Sequence, residues 1–159
     1  MQSHIIIADN DNSRDVVNFF IYTVPSMFIV IFPIVPTAGQ QWKFEAVDGL
    51  PGVYTIANAQ PDNHGETVYV TANPPTKGSK LILYYQKISP GGVIDSTQLW
   101  RIIPQTGGSA NSQIQNFYSD PNDPSTAYVI DLTSGDTSKP LQLYNLKSSD
   151  NNQQFFFKQ

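Results

Sequence analysis

The chain has 159 residues, of which 14% are charged, 12% aromatic and 40% hydrophobic, and it carries a net charge of -4. This length can bury a full core, and its aromatic content is the reverse of a disordered composition. An acidic balance without a basic cluster excludes nucleic acid as the expected partner, and the absence of Cys removes disulfides, thiolate metal sites and thiol nucleophiles together.

The chain opens on Met1-Gln2-Ser3-His4, which lacks the positive start of a secretory leader. The expected location is therefore cytoplasmic or leaderless secreted. A first apolar run, His4-Ile5-Ile6-Ile7, reads as a strand. From Val16 to Trp42 there is no charge at all, a length that could cross a bilayer as a helix. Pro25 and Pro33 interrupt it, and its residues are β-branched and aromatic, so it reads instead as strands around Val16-Val17-Asn18-Phe19 and Ile29-Val30-Ile31-Phe32. Gln40-Gln41-Trp42-Lys43-Phe44 closes this first unit.

A second unit follows the same plan. Gly52-Val53-Tyr54-Thr55-Ile56-Ala57, Glu66-Thr67-Val68-Tyr69-Val70-Thr71 and Lys80-Leu81-Ile82-Leu83-Tyr84 are short strands, and Gln98-Leu99-Trp100 closes the unit. The third unit runs through Ser112-Gln113-Ile114-Gln115-Asn116-Phe117, Thr126-Ala127-Tyr128-Val129-Ile130-Asp131 and Pro140-Leu141-Gln142-Leu143-Tyr144 to Gln153-Gln154-Phe155. Turn-rich pieces such as Asn73-Pro74-Pro75 and Ser89-Pro90-Gly91-Gly92 separate the strands. The three Gln-x-aromatic motifs lie 58 residues (42 to 100) and 55 residues (100 to 155) apart. Spacing of this kind marks an internal repeat. The expected fold is all-β, with twelve short strands in three pseudo-symmetric repeats at about 3–46, 50–104 and 110–159 of a single domain, 1–159.

Those motifs at that spacing resemble the ricin-B-type β-trefoil, and the lack of Cys resembles its small fungal lectin members. The resemblance covers essentially the whole chain. It implies a non-catalytic carbohydrate-binding protein for galactose- or N-acetylgalactosamine-type glycans, with no cofactor and no metal. In that family an Asp ends the second strand of a repeat, a Gln-x-aromatic pair follows on the third, and Asn-Gln opens the fourth. Repeat three matches with Asp131, Gln142, Tyr144, Asn152 and Gln153. By resemblance, Asp131 and Asn152 take sugar hydroxyls, Tyr144 stacks on the sugar ring, and Gln153 orients Asp131 or its loop. Tyr144 and Phe155 stand where the family more often has Trp. Gln142 and Tyr144 share a strand face because the side-chain period is two.

Repeat two offers a weaker second site at Thr71 and Tyr84, with Ile82 in the Gln position and Ser96-Thr97 in place of the Asn. Repeat one has lost the pattern, with Phe19 near the Asp position and Val30 near the Gln position. Its apolar run from Phe19 to Val35 exceeds what a half-buried hairpin needs, which points to a homodimer surface. A protease inhibitor is the competing function, acting through the loops Asn73-Pro74-Pro75-Thr76-Lys77 or Ser89-Pro90-Gly91-Gly92, with Lys77 or Lys87 as the inserted residue. A membrane-active toxin using the uncharged stretch is a third possibility. His4 and His64 stand outside any metal-binding spacing, and the acidic loop at Asp120, Asn122 and Asp123 reads as a turn rather than a Ca²⁺ site.

Overall fold

The computed structural model describes residues 3–10, 13–19, 27–33, 41–104, 111–118, 127–136, 139–147 and 150–158, with 3–33 and 156–158 given as backbone. Repeat one contributes β1 (Ser3–Asn10), β2 (Ser13–Phe19), β3 (Met27–Pro33) and β4 (Trp42–Ala46). Repeat two contributes β5 (Val53–Asn58), β6 (Val68–Ala72), β7 (Leu81–Tyr85), a small hairpin of β8 (Ile88–Ser89) and β9 (Val93–Ile94), and β10 (Trp100–Pro104). Repeat three contributes β11 (Ser112–Asn116), β12 (Tyr128–Asp131), β13 (Gln142–Asn145) and β14 (Phe155–Lys158).

The pairing closes a ring. β1 pairs with β4, β4 with β5, β5 with β10, β10 with β11, β11 with β14, and β14 returns to β1. A closed ring leaves these six strands without a free edge. Six further strands form three hairpins, β2–β3, β6–β7 and β12–β13, each continuing from its ring strand. This is the β-trefoil arrangement. β8–β9 is an addition to the expected twelve strands, built on the Ser89-Pro90-Gly91-Gly92 turn. Gly91 and Gly92 both have positive φ, which few other residues adopt without strain.

The core repeats as the strands do. Trp42, Trp100 and Phe155 open the last strand of each repeat and are almost wholly buried. Around them lie Ile56 and Ile114, Val70 and Ile130, Leu81 and Leu141, and Leu83 and Leu143, each pair from equivalent positions of repeats two and three. The two repeats trade volume: repeat two has Trp100 with Ala72, and repeat three has Phe155 with Leu132. Conserving total volume is how a core keeps its density.

No helix among the described residues is long and apolar enough to cross a membrane. The uncharged stretch contributes most of β2 and all of β3, and β3 extends the sheet by pairing Met27 with Leu83 and Phe28 with Ile82 on β7. Across β2–β3 the register sets Asn18 opposite Val30 and Phe19 opposite Ile29, so Val30 does not face Phe19. The side chains of the expected homodimer surface, 19–35, lie outside the described residues, as do residues 120–123 of the acidic loop.

Candidate functional site

Repeats two and three build the same polar cluster from different residues. In each, a glutamine just ahead of the buried aromatic is itself buried and ties three elements together. Gln98 Nε2 donates to Tyr85 O at 2.8 Å and to Thr71 Oγ1 at 2.9 Å, while its Oε1 accepts from Lys87 N at 2.7 Å. Gln153 Nε2 donates to Asn145 O at 2.9 Å and to Asp131 Oδ2 at 3.2 Å, while its Oε1 accepts from Lys147 N at 2.9 Å and from Gln113 Nε2 at 3.3 Å. A buried amide needs such partners, since an unsatisfied one costs about 1–3 kcal/mol. The glutamine is held by a short 3-10 turn capped by an aspartate, with Asp95 accepting from Thr97 N and Asp150 from Asn152 N.

Strand register makes the equivalence residue by residue. Thr71 sits opposite Ile82 and Tyr69 opposite Tyr84 across β6–β7. Asp131 sits opposite Gln142 and Val129 opposite Tyr144 across β12–β13. The difference lies in what is left over. Thr71 is 0% exposed, and its hydroxyl donates to Tyr69 O at 3.0 Å while accepting from Gln98. It is a closed structural link, and it leaves Tyr84 as the accessible member of the weaker pair.

Asp131 retains 5% exposure and receives one hydrogen bond on each oxygen, from Gln142 Nε2 at 2.8 Å and from Gln153. An ionised carboxylate has about four acceptor positions, so roughly two are unspent. Burial pushes the Asp131 carboxyl above the ordinary aspartate range. The bonds from Gln142 and Gln153 pull the other way, Asp150 adds to the rise and Lys147 opposes it.

Of the other expected residues, Gln142 and Gln153 bond this carboxylate directly, and Asn152 and Tyr144 lie on the elements next to it. Asn152 lies beside the turn that follows β12: Leu132 N donates to Asn152 O at 2.9 Å, and a Cβ on Gly135 would stand 3.2 Å from Asn152 Oδ1. Gly135 has φ +68°, and with Ser134 at φ 57° it forms a turn that leaves room for the Asn152 amide. Gln142 and Tyr144 are half-buried on β13, alternating with the buried Leu141 and Leu143.

Two residues come to the site that the sequence reading did not assign there. Lys77 Nζ lies 4.6 Å from the Tyr144 ring centroid and Lys147 Nζ lies 5.3 Å from it. Lys87 takes the equivalent place 5.1 Å from the Tyr84 ring. The Tyr-x-x-Lys spacing at Tyr84/Lys87 and Tyr144/Lys147 was visible in the sequence. Nothing in the sequence announced Lys77, which arrives from another repeat. Of the two loops considered for protease insertion, 73–77 is followed directly by 78–81, which is tied along β13, and 89–92 forms the turn of the β8–β9 hairpin, on which Ile88 and Val93 are exposed. Among the described residues no group of three or more His, Asp or Glu could hold a metal ion.

No family model matches the sequence, and no curated protein sequence matches it either. Solved structures do match. A designed threefold-symmetric protein, ThreeFoil, superposes with a TM-score of 0.73 at 17% identity, over 99% of this chain and 98% of that one. An exo-β-1,3-galactanase from Clostridium thermocellum gives 0.70 at 18% identity over 99% of this chain, which spans only 30% of the enzyme. A ricin B-like lectin from Macrolepiota procera, solved in complex with lactose, gives 0.67 at 19% identity over 99% of this chain and 94% of that one. At these identities the likeness establishes the fold, and the chain is a β-trefoil.

Proposed function

We propose that this chain is a non-catalytic carbohydrate-binding lectin whose site lies in repeat three at Asp131, Gln142, Tyr144, Asn152 and Gln153. The observation that carries the reading is Asp131. It is a carboxylate braced by two glutamine amides, slightly exposed and with about two acceptor positions left over, where the equivalent Thr71 is a neutral hydroxyl sealed from solvent. Sugar recognition needs fixed acceptors for hydroxyls beside an aromatic surface, and Tyr144 supplies the second. Galactose- or N-acetylgalactosamine-type specificity is part of the proposal, supported by the motif resemblance and by the lactose complex of the Macrolepiota lectin. Pairing of two copies through 19–35 belongs to the same reading and would add avidity to a weak single site.

A glycan array of wild type beside Asp131→Ala and Asn152→Ala tests it, with thermal melting to show that each variant is folded. Binding of galactosides is expected to drop at least about tenfold in Asp131→Ala, the size expected for losing a charged hydrogen bond, and several-fold in Asn152→Ala, which loses a neutral one. Undiminished binding in Asp131→Ala would move the site elsewhere. Absence of any glycan binding would bring forward the protease-inhibitor reading, which a panel of serine and cysteine proteases decides.

A further inference from the structure

Tyr144 is covered from two repeats at once. Lys147 comes from the end of its own hairpin, and Lys77 comes from the connection between β6 and β7. That connection is built to stay where it is. Gly78 N donates to Leu143 O at 2.7 Å, Leu143 N to Ser79 O at 2.8 Å, and Leu81 N to Leu141 O at 2.9 Å, so 78–81 runs as an added edge along β13. Thr76 and Ser79 close the turn with a 2.8 Å bond between their hydroxyls. Backbone pairing therefore sets the position from which Lys77 reaches Tyr144.

The two lysines differ in their company. Lys147 pairs with Asp150 at 3.5 Å. Lys77 is exposed and forms no ion pair among the described residues. An ammonium without an ion-pair partner among the described residues thus stands over Tyr144, two positions along β13 from the Gln142 that braces the Asp131 carboxylate. A neutral sugar stacking on Tyr144 can take a hydrogen bond from that ammonium but leaves its charge uncompensated, and it must displace or share the ring with it. An acidic sugar meets both ends of the site with complementary groups.

We propose that the repeat-three site takes an anionic glycan, with sugar hydroxyls on Asp131 and Asn152 and a carboxylate or sulfate group on the Lys77 ammonium. The inference rests on the sugar-binding reading above and deepens it. The net charge of -4 would by itself repel such a ligand, so the preference must come from this local arrangement.

The test is calorimetric titration of the full chain with lactose, 3′-sialyllactose, 6′-sialyllactose and 3′-sulfolactose, in wild type, Lys77→Gln and Lys77→Glu. At least one acidic glycan is expected to bind wild type about three- to tenfold tighter than lactose, the range of a partly exposed charge pair. The ratio should shrink in 0.5 M salt, approach one in Lys77→Gln and fall below one in Lys77→Glu. Preference for the sialylated ligands identifies a carboxylate as the anion, and preference for the sulfated one a sulfate. A wild-type ratio of one or less for every acidic glycan, or a ratio unmoved by Lys77→Gln, overturns the inference and leaves the lectin reading standing. Tighter lactose binding in Lys77→Gln without acid preference does the same and makes Lys77 a cover over Tyr144. Failure of all four glycans to bind overturns both.

Discussion

Asp131 carries the site's electrostatic cost. Its carboxyl lies above the ordinary aspartate range because burial disfavours the ion, an effect its hydrogen bonds only partly offset. The sign for stability follows: a raised carboxyl favours the fold in its protonated form, so its contribution is present in acid and is lost as pH rises through the raised value. Ligand binding runs the opposite way, because the ionised form is the better acceptor. Affinity for a neutral galactoside should therefore fall in acid at a pH above the ordinary aspartate value of 3.8. Titrations across pH 3 to 7 check this. Asp131→Asn should bind weakly with no step, and a wild-type step centred below 3.8 would contradict the assignment.

Among the elements, the turn after β12 decides whether Asn152 can face a ligand. Gly135 has positive φ, and a Cβ there would press on the Asn152 amide oxygen at 3.2 Å. Gly135→Ala forces an L-residue into a conformation it disfavours by roughly 1 kcal/mol and pushes on the Asn152 oxygen. The expected result is a lower melting temperature together with a several-fold loss of glycan affinity. A variant that melts lower yet binds normally would remove Asn152 from the site. The sequence showed the Ser134-Gly135 turn and the Asn152-Gln153 pair separately. Their contact depends on how two distant turns meet and has no sequence signal.

For the whole molecule, stability should be shared among the three buried aromatics that open β4, β10 and β14. Trp100 is 0% exposed and donates from Nε1 to Val70 O at 3.1 Å, so it links the ring to the β6–β7 hairpin. Trp100→Ala should cost about 3–5 kcal/mol by denaturant unfolding, as large core truncations do. A cost below about 1 kcal/mol would mean that the repeats do not share one core. The wider architecture was legible because it is written in periodicity: alternating strands, turn residues between them and an aromatic at near-constant intervals. The Gln-x-aromatic spacing was enough to expect three pseudo-symmetric repeats of short strands, and Asp131, Gln142 and Gln153 were expected together from the family resemblance. Sequence alone also showed that Thr71 stands where Asp131 does. It could not show that Thr71 is sealed while Asp131 keeps slight exposure, because burial is set by neighbours from several strands. Nor could it bring Lys77 to Tyr144. That approach is made by backbone hydrogen bonds between β13 and a connection more than sixty residues earlier, and such long-range pairing leaves no trace in local pattern.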